Sequence, residues 1–511
     1  MKNFDLHTHV SLKVMLGGHS NNNRKDCWKE VRSKFIDALT GGAINSQSSF
    51  NQMQKGEVSV AIAILYSLEY AFTKNFLLKK VLPKIEKDIS KKYLTNIESY
   101  NVSPYENIKD ELELIKKSLN KNIKIINDVN DINDENTIHL VLSIEGLHSF
   151  LDSYKYNINE FDTVIKKLQE NFLEFIKLNR VLYVGLTHLT KNDICTHTYA
   201  MKLIRDEAFI PGGEGLTTYA KNFIDLCYQN NGYNNKRTLI DIKHMGLSSR
   251  IQFYKYRSEK GYTNIPLVAS HIAVTGLSFN NIYISGASKS KDYKDTIEVH
   301  HRPLNSVFSY SRDGAPKVDL SFNQWSLNLY DEEIIYIINS EGIMGLIMDS
   351  RVLGNSVDVN NKVIAEGVEY FSKESFNYLL NNNHFNKKAP KNYDKEIELE
   401  FKGIPYDGLI HLFANMMHIV MVYYKKYSNT EDKLKAWDHI CIGSDFDGLI
   451  STIGGADDAS YFNNLRKEFS KMISTIRKNS KMSQYFGALD SDVLVNKIFY
   501  SNGIRFLNKN L

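Results

Sequence analysis

Eight short runs of apolar and β-branched residues constrain this chain more than any other feature. They are NFDLHTH (3–9), VSVAIAI (58–64), HLVLSIE (139–145), VLYVGLT (181–187), RTLIDIK (237–243), IPLVAS (265–270), GIMGLIM (342–348) and HICIGS (439–444). Each is nearly continuous in hydrophobicity, the pattern of a strand buried on both faces of a parallel sheet. Between them lie stretches with helical apolar spacing, among them FDTVIKKLQENFLEFIKLN (161–179), TTYAKNFIDLCYQNNG (217–232) and DEEIIYIINSEG (331–342), the last two running to a glycine stop. Strand and helix alternating eight times predict an α/β fold, a (β/α)8 barrel. The expected organisation is one barrel domain over residues 1–511, interrupted by insertions at about 73–138, 276–326 and 354–407. The first insertion is helical in pattern. The second is rich in Ser, Tyr and Asn and is expected to hold a hairpin or lid.

Composition excludes several classes of function. The net charge is +4 and no basic block could track a phosphate backbone, so nucleic acid is not an expected partner. The most apolar windows, VSVAIAILYSLEYAF from Val58 and LIHLFANMMHIVMVYY from Leu409, are shorter than the roughly 20 residues a membrane span needs. They read as a strand entering a helix and as a core helix. Cys27, Cys195, Cys227 and Cys441 are far apart and form no CxxC, which argues against a zinc ribbon or a disulfide framework. With no signal-like start, the chain is expected in the cytoplasm, acting on a small molecule. The sequence leaves the oligomeric state open, a homodimer included.

Chemistry gathers at one end of the predicted strands. In DLHTH, the period of two puts His7 and His9 on one face with Asp5 behind them, the geometry of a chelate. Glu145 ends the third run, and His188, His244, His271 and Asp445 follow the fourth, fifth, sixth and eighth. In a barrel those C-terminal ends converge on the face where active sites are built. Imidazole and carboxylate together suit zinc or a similar divalent ion, and a bridging carboxylate can hold two. Paired metals lower the pKa of water enough to make hydroxide near neutral pH, and a further carboxylate can pass its proton to a leaving amine.

The segments DLHTH, LSIEGLHSF, VGLTHLTKND, TLIDIKHMG, PLVASHIAV and HICIGSDFDG, in that order, resemble the motifs of the membrane (renal) dipeptidase family, peptidase family M19 of the amidohydrolase superfamily. The resemblance extends to FYSNGIRFL near the C-terminus and leaves the spacers unmatched. It implies a binuclear zinc barrel, in which a metal-bridged hydroxide attacks the carbonyl of a dipeptide or N-acyl amino acid. By it, His7 and His9 hold the first ion, Glu145 bridges, and His244 and His271 complete the second site. Asp445 becomes the general acid/base and a weak metal contact, and His188 the group that polarises the scissile carbonyl. His148, His418 and His439 are expected to be hydrogen-bonded supports, and Asp447 to orient a loop.

Two departures from the family pattern matter. The family has His-x-Asp where this chain has His7-Thr8-His9, so one charged ligand becomes neutral. The family's Arg-Asn, whose arginine pairs with the substrate carboxylate, reads Leu327-Asn328 here, and Arg302, Arg312 or another residue of the second insertion is the expected replacement. Without an anchor, the alternative is the same metal centre acting on a lactone, a phosphoester or an amine to be removed by deamination. A non-catalytic protein keeping a structural metal is a third reading, against which Asp445 speaks.

Overall fold

The computed structural model describes residues 2–17, 26–32, 42–74, 90–132, 136–201, 206–302, 305–354, 368–387 and 397–511. All eight runs form strands: β1 (Asn3–Thr8), β2 (Val58–Leu65), β3 (Ile138–Ile144), β4 (Val181–Gly185), β5 (Leu239–Asp241), β6 (Val268–Ile272), β7 (Ile343–Leu346) and β8 (Ile440–Ile442). Every residue in them is buried, which is why hydrophobicity runs through them without alternation. They pair in parallel and in sequence order.

The ring closes between its first and last members. Thr8 bridges Phe446 in parallel, the Asp445 N–H donates to His7 O at 2.9 Å, and the His9 N–H donates to Phe446 O at 2.9 Å. Beneath this seam the Asp5 carboxylate accepts from the Ser444 N–H at 2.9 Å and the Ser444 hydroxyl at 2.5 Å. Asp5 is therefore a closure residue. Tight approach on the far side needs glycine: a Cβ on Gly345 or Gly443 would stand 2.0 or 1.9 Å from Ser270 O. Helices cover the outside as their patterns predict. Phe161–Leu178 buries Phe161, Ile165, Leu168, Phe172 and Phe175 along one stripe. Asp407–Lys426 is buried around most of its circumference. The helix predicted over 217–232 stops earlier, spanning Thr218–Tyr228, and a short turn with left-handed Asn234 and Asn235 follows. Among the described residues no helix is long and apolar enough to cross a membrane. All four cysteines are buried and free.

The insertions combine. The expected hairpin is present as Ile282–Lys289 against Thr296–His301, and Val368–Ser372 and Phe385–Asn386 extend it to a four-stranded sheet. Asn305–Arg312 pairs with Val318–Ser321 and with Ile397–Phe401 in a second sheet. Both sheets thus draw strands from the second and third insertions. A buried cluster ties the four-stranded sheet to the barrel: the Ser326 hydroxyl donates to Glu369, which also pairs with His301 Nε2 at 2.8 Å, and the Ser326 carbonyl accepts from Arg250 at 2.6 Å. The first insertion contributes helices Lys91–Glu98 and Pro104–Ser118.

Candidate metal centre

At the C-terminal ends of the strands, five imidazoles converge on one carboxylate. Around Glu145, Nε2 of His9 lies 3.3 Å from Oε2, Nε2 of His188 3.3 Å from Oε2, and Nε2 of His244 3.1 Å from Oε1. Nε2 of His7 and of His271 each lie 3.7 Å from Oε1. The Asp445 carboxylate stands 3.7 Å from His7 and 3.5 Å from His9. His7 and His9 face each other through Nε2 at 3.3 Å, and His244 and His271 at 3.1 Å. The structure therefore brings together His7, His9, Glu145, His188, His244, His271 and Asp445, all seven expected from the sequence.

These spacings suit an ion between the donors. Ligand atoms about 2.1 Å from a shared tetrahedral ion stand roughly 3.4 Å apart. The measured separations of 3.1–3.7 Å bracket that value for His7, His9 and Asp445 on one side, and for His244, His271 and Glu145 on the other. Glu145 Oε1, buried, makes no hydrogen bond.

Outer hydrogen bonds fix which ring nitrogen faces inward. The Tyr183 hydroxyl donates to Leu6 O at 2.8 Å, so it accepts from His7 Nδ1–H at 3.1 Å and leaves the Nε2 lone pair toward the centre. The Ser270 hydroxyl donates to Asp241 at 2.5 Å and so accepts from His271 Nδ1–H at 2.8 Å, with the same result. His188 Nδ1–H donates to Glu69 at 2.7 Å. Glu69 also accepts from the Leu189 N–H at 3.2 Å and from the Tyr66 hydroxyl. Asp241 shares a possible ligand triad with His7 and His271. Its oxygens, however, are taken by Ser270, the Ser270 N–H and the Lys243 N–H.

The backbone is strained here. His244 (φ 65°), Asp445 (φ 60°) and Asp447 (φ 66°) are left-handed without being glycine, a cost of about 1–3 kcal/mol each that the surroundings must hold in place. The Asp447 carboxylate does so for its loop, accepting from the Gln47 N–H, the Ser48 N–H and the Ser48 hydroxyl. Gly448 is required, since a Cβ there would lie 2.1 Å from Asp445 Oδ1.

Charges respond to burial and to one another. Burial raises Asp445 to about 6, opposed by its bond to His9. Burial would also raise Glu145, but His188 and His7 outweigh it and hold the carboxylate well below its ordinary range. Burial lowers His7 and His244. For His188, burial is overcome by Glu145 and Glu69, and its pKa is raised. Burial pulls Lys243 down to about 8 against the attraction of Asp445, Asp241 and Glu145.

The remaining sequence expectations divide. His148, His418 and His439 are supports, bonded to Ser67 O, Asp331 and Gly342 O. Arg312 is not brought to the centre: its guanidinium is held by Asp407 at 3.2 Å and by the carbonyls of Ile404 and Pro405. Arg302 follows the strand Thr296–His301, with its N–H on Tyr283 O. Arg351, just after β7, stands beside the Asp445 loop. It is clamped by buried Asp349 through Nε at 3.0 Å, donates to Leu449 O at 3.3 Å, and stays 40% exposed at the rim. Sequence reasoning missed Glu69, Tyr183, Ser270, Lys243 and Arg351. Only Lys243 carried a signal, lying two residues from Asp241 within the run 237–243 that reads as a strand.

Fold and centre together define a (β/α)8 barrel whose histidines and carboxylates can hold divalent metal at the C-terminal face. No protein-family model matches the chain, and no curated protein does. Solved structures do. The chain is similar to a dipeptidase described as a metallopeptidase of family M19, at 12% identity and a TM-score of 0.50, covering 100% of this chain and 98% of that one. A metallopeptidase from Rhodobacter sphaeroides, liganded with a phosphinate mimic of the dipeptide L-Ala-D-Ala, matches at 11% identity and a TM-score of 0.49, covering 100% and 99%. The probable dipeptidase PvdM from Pseudomonas aeruginosa matches at 13% and 0.48, covering 100% and 96%. At these identities the first likeness establishes the barrel fold, shared with an M19 dipeptidase.

Proposed function

We propose that the chain is a metal-dependent hydrolase of small amides, cleaving a dipeptide or an N-acyl amino acid, and that residues 1–511 form one barrel unit carrying three insertions. The observation that carries the reading is the convergence of five imidazoles on Glu145, with Asp445 poised beside two of them. His7, His9 and Asp445 would hold one divalent ion and His244 and His271 a second, with Glu145 between them; zinc suits this donor set. Such ions, when bound, supply Lewis acidity and make hydroxide available near neutral pH.

The chain's own groups then divide the work. Asp445 takes a proton from water and returns it to the departing amine. His188, oriented by Glu69, donates from Nε2 to the substrate carbonyl oxygen, where negative charge develops. Arg351 at the rim takes the free carboxylate, in place of Arg302 or Arg312. Four buried free thiols support a reducing compartment such as the cytosol.

The test is a screen of purified protein against dipeptides, N-acyl amino acids, lactones and phosphoesters, with Zn, Mn and Co in turn. Metal-dependent cleavage of a dipeptide is the expected result. Turnover confined to a lactone, a phosphoester or a deamination substrate would favour the alternative chemistry, for which the displacement of Arg312 from the centre is the supporting observation.

A further inference from the structure

Lys243 is used by nothing described so far. β5 ends at Asp241, and Lys243 lies in the turn that follows, next to the centre-facing His244. Asp241 projects inward, since it bonds the Ser270 hydroxyl behind His271. Lys243 is held beside it, and its charge acts on His244, His271 and Asp445 alike, so its side chain lies at the centre, just before His244 turns the chain with its left-handed backbone. The side chain is 3% exposed, and Nζ makes no hydrogen bond. Asp445, Asp241 and Glu145 are the opposing charges that act on it, yet Asp241 is saturated by Ser270 and backbone N–H groups. The neighbouring cation Arg250 differs: Glu333 grips it at 2.7 and 3.0 Å. A buried ammonium with no acceptor is expensive to keep, and a purely structural one is hydrogen-bonded to its carboxylate. The acceptor it lacks within the chain is one that a bound reactant can supply.

Resting on the hydrolase reading, we propose that Lys243 is a substrate-facing cation that takes an anionic oxygen of the reacting group, and that the ligand class it selects is a tetrahedral oxyanion. When the water oxygen bonds to the carbonyl carbon, the π pair of the C=O moves onto oxygen. Lys243 donates a hydrogen bond to the tetrahedral species on the Asp445 side and keeps its proton. Asp445 holds the proton taken from water until the C–N bond breaks and the amine receives it. An ammonium suits this place because it is compact and offers three donors without imposing a plane.

The experiment compares wild type with Lys243→Met, matched in length and apolar, after zinc loading and with metal content measured. Three readouts are taken: calorimetric affinity for a phosphinate dipeptide mimic and for inorganic phosphate, kcat and KM, and thermal unfolding. We expect unchanged metal content and an unchanged or higher melting temperature, because an unpartnered charge has been removed. Phosphinate binding weakens by about 10–100-fold and kcat falls by a similar factor while KM moves little. A lowered melting temperature with both anion affinities intact means a structural ammonium and overturns the proposal, as does intact phosphinate binding at any stability. A wild type that cleaves no peptide and binds no phosphinate, while its phosphate affinity still depends on Lys243, sinks the dipeptide reading and leaves the oxyanion site standing.

Discussion

Replacing Ser270 by alanine tests how the centre is oriented. One hydroxyl proton is available, and it goes to Asp241 at 2.5 Å, so the oxygen is the acceptor for His271 Nδ1–H at 2.8 Å. Alanine removes both bonds at once. Asp241 keeps the N–H groups of Ser270 and Lys243, but its second oxygen and the buried His271 Nδ1–H lose their partners. At about 1–3 kcal/mol for each of the two orphaned groups, zinc-free protein should lose roughly 2–6 kcal/mol. His271 is also freed to change tautomer or rotate, and loss of such an outer bond weakens metal binding by about 10–100-fold. The assay is competition against a chromogenic zinc chelator, with urea unfolding of the zinc-free protein in parallel. Ser444→Ala is the control, because Ser444 makes an equivalent 2.5 Å bond to Asp5 without touching an imidazole nitrogen. Both variants should lose stability, and only Ser270→Ala should lose zinc affinity. Equal zinc affinities in the two variants would refute the argument that the hydroxyl sets the tautomer.

Asp445→Asn should keep metal and fold while turnover drops by about 100- to 10,000-fold, since the amide cannot accept the proton; equal loss of metal, read by elemental analysis, would make Asp445 chiefly a ligand. Protein purified without chelator should carry two divalent ions per chain, and a single ion with no gain in activity from added metal would point to the extra neutral ligand His9 as the cause. Glu69→Gln should lower kcat by about 10–100-fold with zinc content unchanged, because His188 loses the carboxylate that orients it. Glu111, buried and accepting from the Ser11 hydroxyl and the Tyr66 N–H, is raised by burial from 4.5 to about 8. Its folded form holds the proton more tightly than the unfolded chain, so stability declines as pH climbs from about 4.5 and levels off above about 8. Urea unfolding of Glu111→Gln should show the variant gaining on wild type between pH 5 and pH 8.

The barrel was legible because burial on both faces writes itself into each strand separately. Each of the eight runs could be recognised from its own few residues. The metal-type residues were legible for a related reason: they sit at strand ends, and the fold alone decides that those ends meet. What escaped depends on partners distant in the chain. Glu69 stands in an unremarkable Ser-Leu-Glu-Tyr stretch and acquires meaning only because His188 lands 2.7 Å away. Ser270 looks like strand filler until it is seen to link Asp241 to His271. Arg302 and Arg312 are near in sequence, yet the strand carrying Arg312 pairs with Ile397–Phe401, and Asp407 beyond that strand holds it at 3.2 Å. Arg351 stands nearer because the loop after β7 runs beside the loop after β8, with Asp349 bridging Thr452.

The seam that joins Thr8 to Phe446 sets a timetable for the growing polypeptide. His7 and His9 leave the ribosome more than four hundred codons before Asp445 and the carbonyl that fixes His9. At translation speeds of about 5–20 residues per second, that gap lasts roughly 20–90 s. Throughout it the nascent DLHTH segment has two imidazoles and no complete cage, so any ion it meets is held weakly and exchanges freely. An ion held by the complete cage would therefore be selected only after β8 has emerged, not when DLHTH is made.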